Sequence, residues 1–346
     1  MSGGGPIAFP EVFAAIVGPG GPTPDVVRAA FDAILAGAWT PVQVAGLAVA
    51  LRMQGESAST IAAAASAMRA AMVPVEHGLP LTLDTCGTGG DGLGTRNVST
   101  AAAIVVAACG VPVAKHGNRA VSSRAGSADV LEALGLPLDV PPERQADVLR
   151  EVGIAFLFAP AHHPAMRHGG VARRELGIRT IFNVLGPLAN PARATHQLLG
   201  AYDDALRPVI ARTLAELGTA RAWVVRGEDG LDEVSPTTAT RVSELARGVI
   251  VERTVTPEDF GLPRVHSEAL RGGDAADNAR AIEAILRGEP LPERPAIVLN
   301  AAAALVVARD LAPREAARLA DEAIASGRAR EKLDAWRAAA RAARAT

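Results

Sequence analysis

Lysine and cysteine are both scarce in this chain. Of 35 basic residues only Lys115 and Lys332 are lysines, so a lysine inside a motif stands out from an arginine background of different chemistry. Two cysteines, Cys86 and Cys109, are too few for a disulfide framework and fit a reducing compartment. A basic excess is missing too: the net charge of −2 argues against a dedicated nucleic-acid binder. Long apolar runs are absent. The longest, from Ala101 to Ala114, is broken by Gly110 and Pro112 and falls short of the about 20 residues that span a bilayer. Residues 1–6 lack the charged and apolar regions of a signal peptide and are expected to form a frayed end. What remains is a cytoplasmic globular protein with no expected nucleic-acid or membrane partner. Its 346 residues suffice for two domains, or for one large domain with an appendage.

The pattern of residues divides the chain. Residues 24–35 place Val27, Phe31, Ile34 and Leu35 at helical spacing, with Gly37 as the stop. Thr40-Pro41 opens a second helix that runs to Gly55, and Ser57 or Ser59 caps a third that ends near Met72. No strand signal precedes Pro80. Beyond it, strands at 81–84 and 111–114 alternate with glycine-rich or polar loops and with helices at 100–109 and 127–134, the signature of a layered α/β domain. Helices are expected at 142–152 and 162–176, and strands at 197–202, 222–225, 240–242 and 248–252. From Asp274 onward the tail is helix-dominated, with helices at 296–309 and 313–326.

Two loops carry the chemistry. Gly87-Thr88-Gly89-Gly90-Asp91 follows the first strand, and its glycines let successive N–H groups approach phosphate oxygens. Alone it could be a plain tight turn. Asn97-Val98-Ser99-Thr100 then opens a capped helix, whose free N–H donors and positive dipole end form an anion site. No Gly-Lys-Ser/Thr follows, so it is not a Walker loop. The second loop, Lys115-His116-Gly117-Asn118-Arg119-Ala120-Val121-Ser122-Ser123, also follows a strand and offers cations, an amide and hydroxyls suited to a diphosphate. Gly126-Ser127-Ala128-Asp129 gives another helix start. Asp232-Glu233 places two hard carboxylates after a strand and a glycine-rich turn; in isolation such a pair is usually solvated. Arg173 fits either a substrate carboxylate or a salt-bridged helix face shared with Arg167, Arg174, Glu175 and Arg179. His162 and His163 fit either an acceptor channel or helix capping.

These motifs resemble those of the anthranilate phosphoribosyltransferase family. The likeness runs from Gly87–Asp91 through Asn97–Thr100, Lys115–Ser123 and His162-His163-Pro164-Ala165-Met166. It continues through Arg173-Arg174-Glu175-Leu176-Gly177, Arg179-Thr180-Ile181-Phe182-Asn183, Leu185-Gly186-Pro187-Leu188-Ala189-Asn190-Pro191, Asp232-Glu233-Val234-Ser235 and the late run from Asn300. The resemblance implies an α/β fold in which a small all-helical domain sits on a large α/β domain. The latter has a central, mostly parallel sheet flanked by helices, as in pyrimidine nucleoside phosphorylases. Residues 1–75 would form the small domain, completed by a helical insertion at about 143–183; residues 76–142 and 184–346 would form the large one.

The implied site is specific. Gly87, Gly90, Asp91, Thr95, Asn97, Ser99, Thr100, Lys115, Asn118, Arg119, Ala120, Val121, Ser122, Ser123 and Ser127 would bind phosphoribosyl pyrophosphate. Gly87, Asn118, His163, Arg173 and Gly186 would bind anthranilate, and Ser99, Asp232 and Glu233 would hold Mg²⁺. Lys115, His116, Asn118 and Arg173 are the implied catalytic group, in a homodimer formed through the helical domain. One position departs from the family: Arg96 stands where an aromatic residue usually precedes the asparagine. It either faces solvent or adds a charge near the phosphates. Two alternatives stay open here, a nucleoside phosphorylase of the same fold and a non-catalytic nucleic-acid-binding relative.

Overall fold

The computed structural model describes residues 5–120 and 124–345. Val121, Ser122 and Ser123 lie outside the described residues, as do residues 1–4 of the expected frayed end.

Four helices come first: α1 (Phe9–Val17), α2 (Pro24–Leu35), α3 (Pro41–Gln54) and α4 (Ala58–Ala71). Their starts are written locally. Thr23 Oγ1 accepts from Val26 N–H, Thr40 and Gln43 form a reciprocal capping box, and Ser57 Oγ accepts from Thr60 N–H. Proline at the first position of α2 and of α3 costs nothing there, because that N–H has no helical partner.

The remainder alternates: β1 (Leu83–Asp84), α5 (Val98–Ala108), β2 (Val113–Gly117), α6 (Ser127–Ala133), α7 (Pro142–Val152), β3 (Ile154–Phe158), α8 (Ala159–His162), α9 (Arg167–Leu176), α10 (Phe182–Leu188), β4 (His196–Gly200), α11 (Leu206–Glu216) and β5 (Arg221–Gly227). The hairpin β6 (Thr240–Ala246) and β7 (Val249–Val255) precedes α12 (Ala275–Leu286), α13 (Arg294–Arg309), α14 (Pro313–Ala325) and α15 (Arg328–Ala345). The seven strands form one sheet in the order β3-β2-β1-β4-β5-β6-β7. The first five are parallel; β6 and β7 are antiparallel additions. The expected mostly parallel sheet is therefore present.

Alternation along the strands splits the apolar side chains between two cores. Leu198, Trp223 and Val225 pack with α5, α13, α14 and α15 on one face. Leu199, Ala222 and Val224 pack with α2, α4, α10 and α11 on the other. The N-terminal helices thus share a core with one face of the sheet.

The helical insertion at 143–183 needs correction. β3 lies inside that range and pairs with β2 over five residues, and α7 packs on β3 and α15, so the first part of the segment belongs to the α/β layers. α9 packs on α2 and α3, Ala165 and Met166 pack against the same core, and α10, which begins at Phe182, packs on α4. A five-residue apolar run such as Ile154–Phe158 has no period that separates a buried strand from a helix end. Nor did the residue pattern signal α10, which carries Gly186 and Pro187, or α11.

Candidate active site

The site forms where β1, β2 and β4 end. Asp84, at the end of β1, is fully buried and organises the floor. Its Oδ1 accepts from the backbone N–H of Cys86 at 3.0 Å and of His116 at 3.2 Å. Its Oδ2 accepts from Asn190 Nδ2 at 2.7 Å. Burial pushes this carboxyl up to about 6, against the pull of nearby Lys115.

The glycine loop leaves this floor. Thr88 donates to Gly200 O through its N–H at 2.8 Å and its hydroxyl at 3.1 Å, and its Oγ1 accepts from Tyr202 N–H at 2.9 Å. Gly89 and Gly90 have φ of 66° and 80°, a region that side chains rarely adopt. Gly200 is required for a different reason: a Cβ there would come 1.6 Å from Asp232 O, so only glycine lets the Asp232-Glu233 turn close over β4.

Lys115 is 2% exposed; its Nζ donates to Thr85 Oγ1 at 3.1 Å and Ser99 Oγ at 3.4 Å. Ser99 N–H, in the first turn of α5, donates to Glu233 Oε1 at 3.2 Å. A carboxylate thus stands at the helix start where the sequence points to a phosphate site. The expected cap of α5 differs, because Asn97 makes no capping bond. Its amide instead donates to Ala125 O at 3.2 Å and accepts from Asn278 Nδ2 at 2.8 Å.

Burial raises Asp232 to about 7, with Asp91 as the next cause, and Glu233 to about 8, with Asp232 next and Lys115 opposing. The far oxygen of Asp91 is buried with no hydrogen-bond partner, and its near oxygen accepts from Leu93 N–H. Three carboxyls therefore crowd together, and a cation would relieve their repulsion. Among the described residues no three His, Cys, Asp or Glu side chains close into a complete metal cage. An open set of hard oxygens matches Mg²⁺, which keeps waters and bridges to phosphate. Asn300 holds the turn in place, accepting from Val234 N–H and donating to Val234 O, both at 2.9 Å.

The opposite face of β2 has another character. His116 Nδ1–H donates to Gly186 O at 2.9 Å, and the His116 and His163 rings lie 5.1 Å apart. Burial lowers His116 to about 3 and His163 to about 4, so both imidazoles are neutral. Arg173 lies 5.8 Å over the Phe182 ring, and among the described residues it has no carboxylate partner. The alternative of a salt-bridged helix face is thereby removed for it. His162 bonds Val73 O instead of facing the cleft.

Other expected contacts are turned elsewhere. Arg119 is paired with Asp129 at 2.9 Å and Glu132 at 2.8 Å, and Ala120 N–H donates to Asp129 Oδ2 at 2.9 Å. Ser127 Oγ donates to Asn118 O at 3.4 Å, and Asn118 Oδ1 accepts from Arg119 N–H. Thr95 bridges to Arg271, and Thr100 is buried in α5. Arg96 neither faces open solvent nor reaches toward the phosphate loop. It forms an ion pair with buried Glu293 at 3.2 Å and donates to Asn278 Oδ1 at 3.3 Å, beside a small apolar space lined by Val98, Ile282, Ile285 and Ile297. Because Asn278 also donates to Asn97, the α5 start is tied to α12. Sequence spacing missed Glu293 and Asn278 and gave no role to Asn190 and Asn300, which lie in the family motifs, since each is far along the chain from its partner.

Comparison with known proteins follows the same outline. A family described as "Glycosyl transferase family, a/b domain" matches residues 79–330, and "Glycosyl transferase family, helical bundle domain" matches residues 15–72. Anthranilate phosphoribosyltransferase of Myxococcus xanthus is 51% identical over 329 residues, covering 94% of this chain and 97% of its own. The crystal structure of that enzyme from Thermus thermophilus superposes with a TM-score of 0.90 at 44% identity, covering 96% of this chain and 99% of the other. The Saccharomyces cerevisiae enzyme in complex with PRPP and Mg gives 0.90 at 29% identity, covering 96% and 98%.

Proposed function

The chain belongs to the anthranilate phosphoribosyltransferases of the glycosyl transferase family, and from that premise we propose how its own residues carry the reaction. The activity is transfer of the phosphoribosyl group of phosphoribosyl pyrophosphate to the amine of anthranilate, a step of tryptophan biosynthesis. The amine nitrogen bonds to ribose C1 as the C1–oxygen bond to diphosphate breaks, and the nitrogen then loses a proton. The observation that carries the residue assignment is the meeting of Lys115, Ser99 and Glu233 at the α5 start, beside the glycine loop.

Lys115 presents its Nζ there, and the N–H groups of the glycine loop beyond Thr88 suit the diphosphate, whereas at the α5 start the Ser99 N–H is taken by Glu233. Asp232, Glu233, Ser99 and the free oxygen of Asp91 are the residues that would hold Mg²⁺. When bound, Mg²⁺ supplies charge neutralisation for the departing diphosphate. Asn118 and Gly87 are assigned to contact both phosphoribosyl pyrophosphate and anthranilate. On the other face Arg173, which has no anion partner among the described residues, suits the anthranilate carboxylate as a planar fork. Neutral His116 and His163, with Gly186, line an uncharged acceptor side. No general base is assigned, since an aryl amine attacks without prior deprotonation.

A homodimer through the helical domain is part of the same proposal. Phe13 and Val17 of α1 and Val42 and Met53 of α3 are exposed apolar side chains that a partner would cover. A cytoplasmic location also belongs to it; no helix among the described residues is long and apolar enough to cross a membrane. The test is direct. Anthranilate fluorescence should fall when phosphoribosyl pyrophosphate and Mg²⁺ are added together, and with neither alone. Phosphorolysis of a nucleoside with no loss of anthranilate would overturn the reading.

A further inference from the structure

We propose that Arg179 is a further binding residue for the diphosphate of the donor, reaching the glycine loop from the segment between α9 and α10. Its guanidinium lies 4.1 Å from the centroid of the Tyr202 ring. Stacking of this kind holds the cation flat and leaves its N–H edge free to bond. The shelf is fixed to the loop it faces, because Tyr202 N–H donates to Thr88 Oγ1 at 2.9 Å and Thr88 is itself bonded to Gly200 O. The same guanidinium borders the loop glycine. A methyl group built on Gly90 would come 3.3 Å from Arg179 Nη2. Many arginines of the chain are neutralised by a carboxylate, as Arg119 is by Asp129 and Glu132. Among the described residues Arg179 has no such partner, although it is exposed.

An unneutralised, aromatically braced guanidinium against a loop of N–H donors is a pre-organised site for a doubly charged oxyanion. Arg179 therefore complements the metal-binding carboxylates: they hold the diphosphate through a cation, and it binds the phosphate oxygens directly. A side chain at position 90 would crowd the guanidinium.

This inference rests on the transferase reading, and the experiment separates the two. Arg179→Met keeps the stem and removes the fork; Arg179→Lys keeps the charge. Magnesium pyrophosphate binding by calorimetry is measured alongside KM for both substrates, with thermal melting as the control for folding. Arg179→Met should weaken pyrophosphate roughly tenfold or more and raise the donor KM to match, with anthranilate KM unchanged and Lys restoring part of the loss. Pyrophosphate affinity within about twofold of the unaltered enzyme overturns the proposal. A rise confined to anthranilate KM, or a fall in kcat with both KM values unchanged, also overturns it. If the unaltered protein neither consumes anthranilate nor binds pyrophosphate, the transferase reading itself fails.

Discussion

Lys115 and His116 are neighbours on β2, yet they look into opposite environments. Lys115 faces Thr85, Ser99 and the carboxyl of Glu233, which Asp232 crowds in turn, a set of charges waiting for a cation and an anion. His116 faces Gly186 and His163, where burial keeps both rings uncharged. The alternation of a strand is enough to separate the two. One face is built to stabilise charge that moves, the other to hold an aromatic acceptor between neutral rings, with Arg173 as its cation. A reaction that expels a diphosphate and admits an uncharged amine needs both, a strand's thickness apart.

The largest expected effect comes from disarming the charged face. Asp232→Asn with Glu233→Gln should lower turnover by about 100-fold or more and abolish the magnesium dependence of what remains. Titrating MgCl₂ against rate checks this; turnover equal to that of the unaltered enzyme would erase the distinction between the faces. Next is the acceptor side. Arg173→Ala should raise anthranilate KM by about tenfold or more, as expected for losing a charge-assisted bond of about 1.5–3 kcal/mol. The donor KM should stay put, and a matching rise in it would sink the assignment.

A pH experiment draws the contrast further. An unfolded histidine titrates near 6.5, whereas native His163 is held to about 4 by burial. Between those values the unfolded chain binds a proton that the native one refuses, so stability falls as pH drops from about 6.5 towards 4. The effect is roughly 3 kcal/mol at most for this group, from the linkage of about 1.4 kcal/mol per unit. Asp84, raised to about 6, acts in the opposite sense: it favours the native state at low pH and loses that advantage as pH rises from about 4 to 6. The comparison of His163→Asn with the unaltered protein isolates the imidazole. Denaturant midpoints for the variant should decline less on acidification, and parallel curves would refute the assignment.

The smallest effect is expected where Arg96 and Glu293 are changed together. Arg96→Phe alone leaves Glu293 buried and unpaired, a costly change. Combined with Glu293→Gln, the aromatic ring can fill the apolar space beside Val98 and Ile282, and stability should return to within about 1 kcal/mol of the starting protein. Thermal melting of the single and double variants decides it.

Much of the fold and site was legible in the order of residues. Thr23, Thr40 and Ser57 mark their helix starts because a cap acts over three residues, within reach of a sequence pattern. The glycine loop was legible because it follows a strand; Lys115 was expected on the loop after a strand, and the structure instead places it, with His116 and Gly117, inside β2. β3 was not, since Ile154–Phe158 is apolar throughout and buried on both faces except at its end. Arg119 shows the converse limit: its place in a motif suggested a phosphate ligand, and the fold pairs it with two carboxylates.

The local devices belong to the amino-acid order alone: caps, glycines of positive φ, the strand–loop–helix rhythm and the residue types of two anion loops. They depend on backbone preferences and hydrogen bonds a few residues long. Which of these devices meet is a matter of tertiary packing. Ser99 and Glu233, 134 residues apart, touch only because β1 and β5 flank β4 and Gly200 lets the carboxylate turn close over it. Strand order and burial bring them together, and neither is a property of any short stretch of chain.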